Sequence, residues 1–215
     1  DFQRPPAVVV AALAAHGIYY ACLQVDGFNS DALSGVVKDT RFEQRLMSAG
    51  HFRARARRIV FGDFSLDCGT YSLPVFANGS FGEGVIGLAL ATHCEVPMWL
   101  NGMQVKAGQL MVFTEDRELA VRSVAPLWQW TVLLLPRAVL QASVNARLGR
   151  DIDIPASGWH LCAPAADGNV RLRCQVHRAL RQASRWNAES PVPDALRVGD
   201  NLMDAFLEAP VRGQQ

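Results

Sequence analysis

From His51 onward the period of the chain changes to two, in segments rich in Val, Leu, Phe, Tyr and Trp that are separated by Gly, Asn and Asp. Alternation of this kind places one face of an extended chain in a core and the other outside it, so it predicts strands. The predicted strands are Phe52 to Phe61, Ser65 to Ser72, Gly84 to Ala91, Met98 to Leu100, Leu110 to Thr114, Glu118 to Val124 and Leu127 to Leu135. Between them stand Gly62-Asp63, Asn78-Gly79 and Asn101-Gly102, pairs that suit the left-handed positions of tight hairpin turns. Consecutive antiparallel strands must close on themselves or double over to remove exposed edges, which predicts a small barrel or sandwich.

The flanks have a different period. Ala7 to Val25 is apolar but interrupted by His16, Gly17 and Gln24, with no basic segment ahead of it, so it is expected in the core rather than in a membrane. Asp26 to Val37 predicts a turn and a short helix capped by Ser30 or Asp31. Beyond Pro136, Val139, Leu140, Val144 and Leu148 recur at helical spacing up to Gly149, a helix stop. After a loop with Pro155 and Pro164, Asn169 to Asn187 aligns Leu172, Val176, Leu180 and Ala183 on one stripe. Pro191 and Pro193 break that helix, and Asp194 to Ala209 repeats the pattern with Leu196, Leu202, Met203 and Phe206. The expected fold is mainly β with C-terminal helices (α+β): a small β barrel or sandwich followed by a helical segment. Its parts are residues 1–50, packing on the barrel, residues 51–136, the β domain, and residues 137–215, the helices.

A chain of 215 residues, half of them apolar, buries a sizeable core, and its net charge of +1 calls for no polyanionic partner and no acidic membrane. Cys22, Cys68, Cys94, Cys162 and Cys174 are odd in number and without CxxC spacing, which suggests neither a disulfide framework nor a zinc site and fits a reducing cytoplasm.

A barrel of this type also admits a cupin-like metal-dependent enzyme, which needs histidines and a carboxylate converging on a metal. His16, His51, His93, His160 and His177 form no HxH or HxxxH pair, and only His93 has a near carboxylate, Glu95. No GxSxG elbow is present, and the string from Asn78 to Gly84 lies between strands rather than ahead of a helix, so it lacks the amide cradle of a phosphate loop. The sequence therefore predicts no catalytic residue, no metal and no cofactor. Trp99, Trp128, Trp130, Trp159 and Trp186 are expected in the core, where tryptophans of small β domains mostly lie.

The feature left over is Arg53-Ala-Arg55-Ala-Arg57-Arg58. On an extended chain Arg53, Arg55 and Arg57 point to one face, and Ala54, Ala56 and Arg58 to the other. Two readings stand. The row is a solvated strand face, paired with Asp63 or Asp67 across the Gly62-Asp63 turn; or it is an oxyanion site, most naturally for phosphate, which guanidinium forks bind bidentately.

Glu43 to Phe52, with Gln44-Arg45-Leu46 and then three intervening residues before Gly50, followed by Gly62-Asp63-Phe64-Ser65-Leu66, resembles the N-terminal regulatory domains of AraC-type transcription regulators. Trp99 to Phe113, Val121-Arg122 and Trp128 to Arg137 resemble the same group, so the likeness covers Phe28 to Leu140. It implies a cupin-like domain that binds an effector, helices that pair two subunits into a homodimer, and a C-terminal pair of helix-turn-helix units that reads promoter DNA. No helix-turn-helix pattern stands in residues 1–215, so this chain is expected to be the sensing and dimerisation part of such a regulator and not an enzyme. A narrower resemblance is to the PilZ signature, RxxxR followed by [D/N]xSxxG, which binds cyclic di-GMP. Arg53, Arg57, Asp63 and Ser65 match it, while Cys68 stands where the glycine belongs and Gly69 comes one place late. The implied ligand site is Arg53, Arg57, Asp63 and Ser65, assisted by Arg55 and Arg58. The alternatives are the metal-dependent enzyme and a dimerisation module with no small-molecule ligand.

Overall fold

The computed structural model describes residues 7–13, 16–114, 118–149, 154, 158–162, 164 and 166–211. Pro155 and the side chains of Leu148 and Trp159 lie outside what is described.

The apolar N-terminal stretch is a hairpin of two strands, β1 (Ala7–Leu13) and β2 (Ile18–Asp26). After helix α1 (Ser30–Ser34) come β3 (Thr40–Leu46), β4 (Arg53–Phe61), β5 (Phe64–Tyr71), β6 (Val75–Phe81) and β7 (Val85–His93). Next are β8 (Met98–Leu100), β9 (Met103–Val105), β10 (Leu110–Phe113), β11 (Glu118–Arg122) and β12 (Trp128–Pro136). Helix α2 (Arg137–Leu148), strand β13 (Trp159–Cys162) and helices α3 (Ala166–Ala183) and α4 (Val192–Val211) complete the described chain.

The strands form two antiparallel sheets, an eight-stranded one in the order β1-β2-β4-β5-β12-β7-β10-β13 and a five-stranded one in the order β3-β6-β11-β8-β9. This is a sandwich rather than a closed barrel. One core lies between the sheets, around Phe52, Tyr71, Phe81, Phe113 and Trp128. A second lies between the outer face of the large sheet and the C-terminal helices, where Ile59, Leu66 and Leu133 meet Leu172, Val176 and Phe206. The large sheet is thus buried on both faces over much of its area, which is why β2 reads as a continuous apolar run rather than an alternation.

Residues 7–46 contribute strands to both sheets. β2 pairs with β4 along its whole length, and β3 pairs with β6 in the other sheet. The Asn78-Gly79 pair also differs from expectation: it lies within β6, between β3 and β11, and neither residue has positive φ. The chain reverses after Phe81 instead, at Gly84 (φ 71°). Asn101-Gly102 does form the β8–β9 turn, with φ of 44° and 84°. Helix α1 is capped by Asn29, whose side chain accepts from the Ala32 N–H at 2.9 Å, in place of Ser30 or Asp31. Helix α2 stops at Gly149 in the left-handed region as its position implies. Among the described residues no helix is long and apolar enough to cross a membrane.

Candidate functional site

Strand β4 divides the arginines as its alternation dictates. Arg53 and Arg55 are exposed and Arg57 half-buried on the outer face of the large sheet, while Ala54 and Ala56 are buried between the sheets. The neighbours of the row follow from register. On β2, Asp26, Gln24 and Cys22 stand opposite Arg53, Arg55 and Arg57; on β5, Thr70 and Cys68 stand opposite Arg55 and Arg57. Beyond β5, Gln129 and Thr131 of β12 extend the same polar floor.

Charge compensation is uneven along the strand. Asp26 pairs with Arg53 at 3.8 Å and also with His51. Arg58, on the opposite face, donates from Nε to Asp67 Oδ1 at 2.6 Å and from Nη2 to the Gly35 carbonyl at 3.1 Å. Arg55 makes a weak contact from Nε to Cys22 Sγ at 3.5 Å, and the buried Arg57 Nε has no hydrogen-bond partner among the described residues. Among the described residues no carboxylate lies within ion-pairing distance of Arg55 or Arg57. Burial raises the Tyr20 hydroxyl pKa, with Arg57 and Arg55 pulling the other way, and burial pushes the Cys68 thiol up to about 12. The floor under the two arginines is therefore neutral. An uncompensated guanidinium over a neutral, partly dry floor is a strong receptor for an oxyanion.

The six residues expected to form one site are not brought together. Arg53, Arg55 and Arg57 share the outer face. Arg58 is committed to Asp67 on the inner face, so the solvated-pair reading holds for that arginine. Ser65 pairs with Val60 and Leu134, is 1% exposed, and points between the sheets. Asp63 lies exposed in the β4–β5 turn, some five residues along the strand from Arg57 and so roughly 15 Å away. The physical reason is parity: the hairpin register puts Arg57 opposite Cys68, so odd-numbered residues of β5 face the interior, and a one-residue slip would be needed to turn Ser65 outward. Cys22, Gln24, Thr70, Gln129 and Thr131, which line the floor, were missed because their meeting with β4 depends on that register.

Trp128 and Trp130 are core residues, edge-on to Tyr71 at 5.4 and 6.2 Å. They line an interior cavity of about 80 Å³ together with Gln44 and Met111. Among the described residues no group of three His, Cys, Asp or Glu side chains comes together.

No protein-family model matches the sequence, and no curated protein matches it. A crystal structure of the AraC-like transcriptional activator CuxR superposes with a TM-score of 0.52, covering 79% of this chain and 61% of that one at 11% identity. The chain shares the fold of an AraC-like activator. At this identity the likeness is one of fold, and it spans less than two thirds of the activator's chain. A 7S globulin of Momordica charantia aligns over 73% of this chain and 44% of its own at 13% identity, with a TM-score of 0.26, too loosely to carry an argument.

Proposed function

We propose that this chain is the effector-sensing part of an AraC-type transcription regulator, that it is not an enzyme, and that its effector is a phosphate-bearing anion, with cyclic di-GMP the first ligand to test. The observation that carries the reading is the contrast along β4: Arg53 and Arg58 have carboxylate partners, whereas among the described residues Arg55 and Arg57 have none and the buried Arg57 Nε has no acceptor. Guanidinium forks hold phosphate oxygens and the O6/N7 edge of guanine bidentately, and stack on base faces. Arg55 and Arg57 are the principal contacts in this reading, with Arg53 released from Asp26 to assist. Asp63 and Ser65 take no part, so what remains of the PilZ likeness is its arginine half.

The interior cavity supports placing the ligand outside. At about 80 Å³ it falls far below the several hundred cubic ångströms that drug-sized ligands occupy. In this reading the protein works in the cytoplasm as a homodimer, paired through residues 137–215, and promoter DNA is read by helix-turn-helix units outside residues 1–215. The apolar stripe of α3 is already spent on the chain's own sheet, so pairing must use outward residues such as Val170 and Leu196, which are exposed. Effector binding shifts the equilibrium only if one arrangement of the dimer binds it better than another.

Calorimetric titration with cyclic di-GMP, GTP and cyclic AMP tests the site on wild type, Arg57→Ala and Asp63→Ala. Cyclic di-GMP is expected to bind wild type and Asp63→Ala and to lose affinity for Arg57→Ala. Absence of heat with wild type, or unchanged binding by Arg57→Ala, sinks the arginine site. Metal analysis tests the remaining alternative: stoichiometric iron, zinc or manganese in the purified protein would instead favour the cupin-like enzyme.

A further inference from the structure

We infer that helix α3, through Arg173 and His177, supplies a second wall facing the arginine row, so that the outer face of the large sheet is a two-sided site for a small ligand carrying two separated phosphate groups. The inference rests on the regulator reading above and names the ligand class of the same site.

The path of α3 over the sheet carries the argument. At its start the Asn169 side chain donates to the Gly108 carbonyl at 3.2 Å, and the Gly108 N–H donates to Ala91 at 2.8 Å. That is the level of Arg57, because register runs straight across the sheet from Arg57 through Cys68, Thr131 and Leu90 to Leu110. Just past its end, Trp186 packs edge-on against Phe61 with ring centroids 5.9 Å apart, near the far end of β4. A line from the β10 end to Phe61 crosses four strand gaps and drops four residues, roughly 23 Å in all. The chain from Asn169 to Trp186 spans about 25 Å if helical throughout. The helix thus runs diagonally and leaves a wedge of sheet uncovered, and that wedge holds Arg53, Arg55, Arg57, Thr70 and Gln129.

The two flanks of α3 have different neighbours. A side chain at Gly168 would meet the backbone of Ala209 in α4, and α4 sits at the Phe61 end of the sheet, with Gly199 against Phe61 and Phe64. The next residue, Asn169, turns instead to Gly108, on the flank away from α4. Residues four apart stack along a helix flank, so Arg173 and His177 follow Asn169 on the side that faces the arginine row. Both are exposed, and among the described residues neither has an ion-pair partner. Arg173 adds a second guanidinium and His177 a ring N–H donor across from the sheet row, and the potentials of charges on the two sides add in the space between them. A monophosphate satisfies the sheet row by itself; a ligand with two phosphates engages both walls. Bridging sheet and helix also ties the position of α3 to occupancy, the differential contact that a sensor requires.

The test is titration of wild type, Arg57→Ala, the double variant Arg173→Ala/His177→Ala, and Arg178→Ala on the other flank, with cyclic di-GMP and with GMP. The double variant is expected to bind cyclic di-GMP at least tenfold more weakly than wild type and GMP within twofold of it. Arg57→Ala is expected to weaken both ligands, and Arg178→Ala neither. If the double variant binds cyclic di-GMP as wild type does while Arg57→Ala loses it, the second wall is wrong and the sheet site stands. Equal losses in Arg178→Ala and the double variant reduce the effect to general charge and also overturn the second wall. Failure of wild type to bind either ligand removes the sheet site and the second wall together.

Discussion

Arg58 and Asp67 face each other across the β4–β5 register inside the sandwich, Nε to Oδ1 at 2.6 Å, with Asp67 wholly buried and its other oxygen accepting the Lys38 N–H at 2.8 Å. The pair anchors the loop after α1 to the large sheet, since Arg58 also holds the Gly35 carbonyl. Burial raises the Asp67 pKa more than Arg58 and Lys38 lower it. The folded state therefore holds the proton more tightly than the unfolded chain, whose carboxylate titrates near ~3.9. Above that value stability from this group falls as pH rises toward the folded pKa. Removing Arg58 takes away the largest opposing attraction and widens the window. Arg58→Ala is expected to cost about 3 kcal/mol near neutral pH and visibly less at pH 5, measured by urea denaturation at both. An equal loss at the two pH values would show that Asp67 is not the group responsible.

Gly69 is required by the ring above it. A Cβ there would lie 2.3 Å from the Trp130 indole, which has no room to retreat in a core shared with Tyr71 and Trp128. Gly69→Ala is expected to lower stability by about 2 kcal/mol through overpacking and to shift the tryptophan fluorescence. Its neighbour Thr70 is half-buried on the outer face, and Thr70→Ala is expected to stay within about 0.5 kcal/mol of wild type. Gly69 thus serves packing between the sheets.

These two positions mark how far the sequence could be read. The alternation Arg-Ala-Arg-Ala and the Gly62-Asp63 turn were enough to separate Arg57 from Arg58 and to place Asp67 across from the strand. The stripe Leu172, Val176, Leu180, Ala183 was enough for α3. Register between distant segments was not legible: nothing local in Ile18–Asp26 announces Cys22 as the neighbour of Arg57, and burial on both faces hid the strand period. Asn78-Gly79 carried a turn signal that pairing on both sides of β6 overrode. Asp63 and Ser65 entered the expected site through the PilZ likeness, and a motif match ignores which face a residue occupies. The wedge beneath α3 depends on how a helix crosses a sheet, which no periodicity records.

Cysteine reactivity separates the two sides of α3 from the sheet beneath. Cys174 is exposed on the helix, while Cys68 is buried under Arg57 with its thiol pushed up to about 12. The thiolate is the reactive form, so at pH 8 the Cys68 thiolate is a vanishing fraction. Alkylation of the native protein with peptide mapping is expected to label Cys174 and spare Cys68, and labelling in denaturant to reach both. Early modification of Cys68 in native protein would mean that the floor of the arginine row opens to solvent.

Gly199 sets how closely α4 approaches the sheet. A Cβ there would lie 3.0 Å from both Phe61 and Phe64, rings stacked with centroids 5.0 Å apart at the ends of β4 and β5. Two effects oppose each other in Gly199→Ala: the helix gains about 1 kcal/mol in propensity, and the aromatic pair must yield a few tenths of an ångström. The net change is expected to be under about 1 kcal/mol. Gly199→Val adds two methyl groups against the same rings and has lower helix propensity than alanine, so a loss of about 2 kcal/mol is expected from the clash. Thermal denaturation of both variants decides it, and a valine variant as stable as the alanine one would mean that α4 does not rest on the Phe61–Phe64 pair.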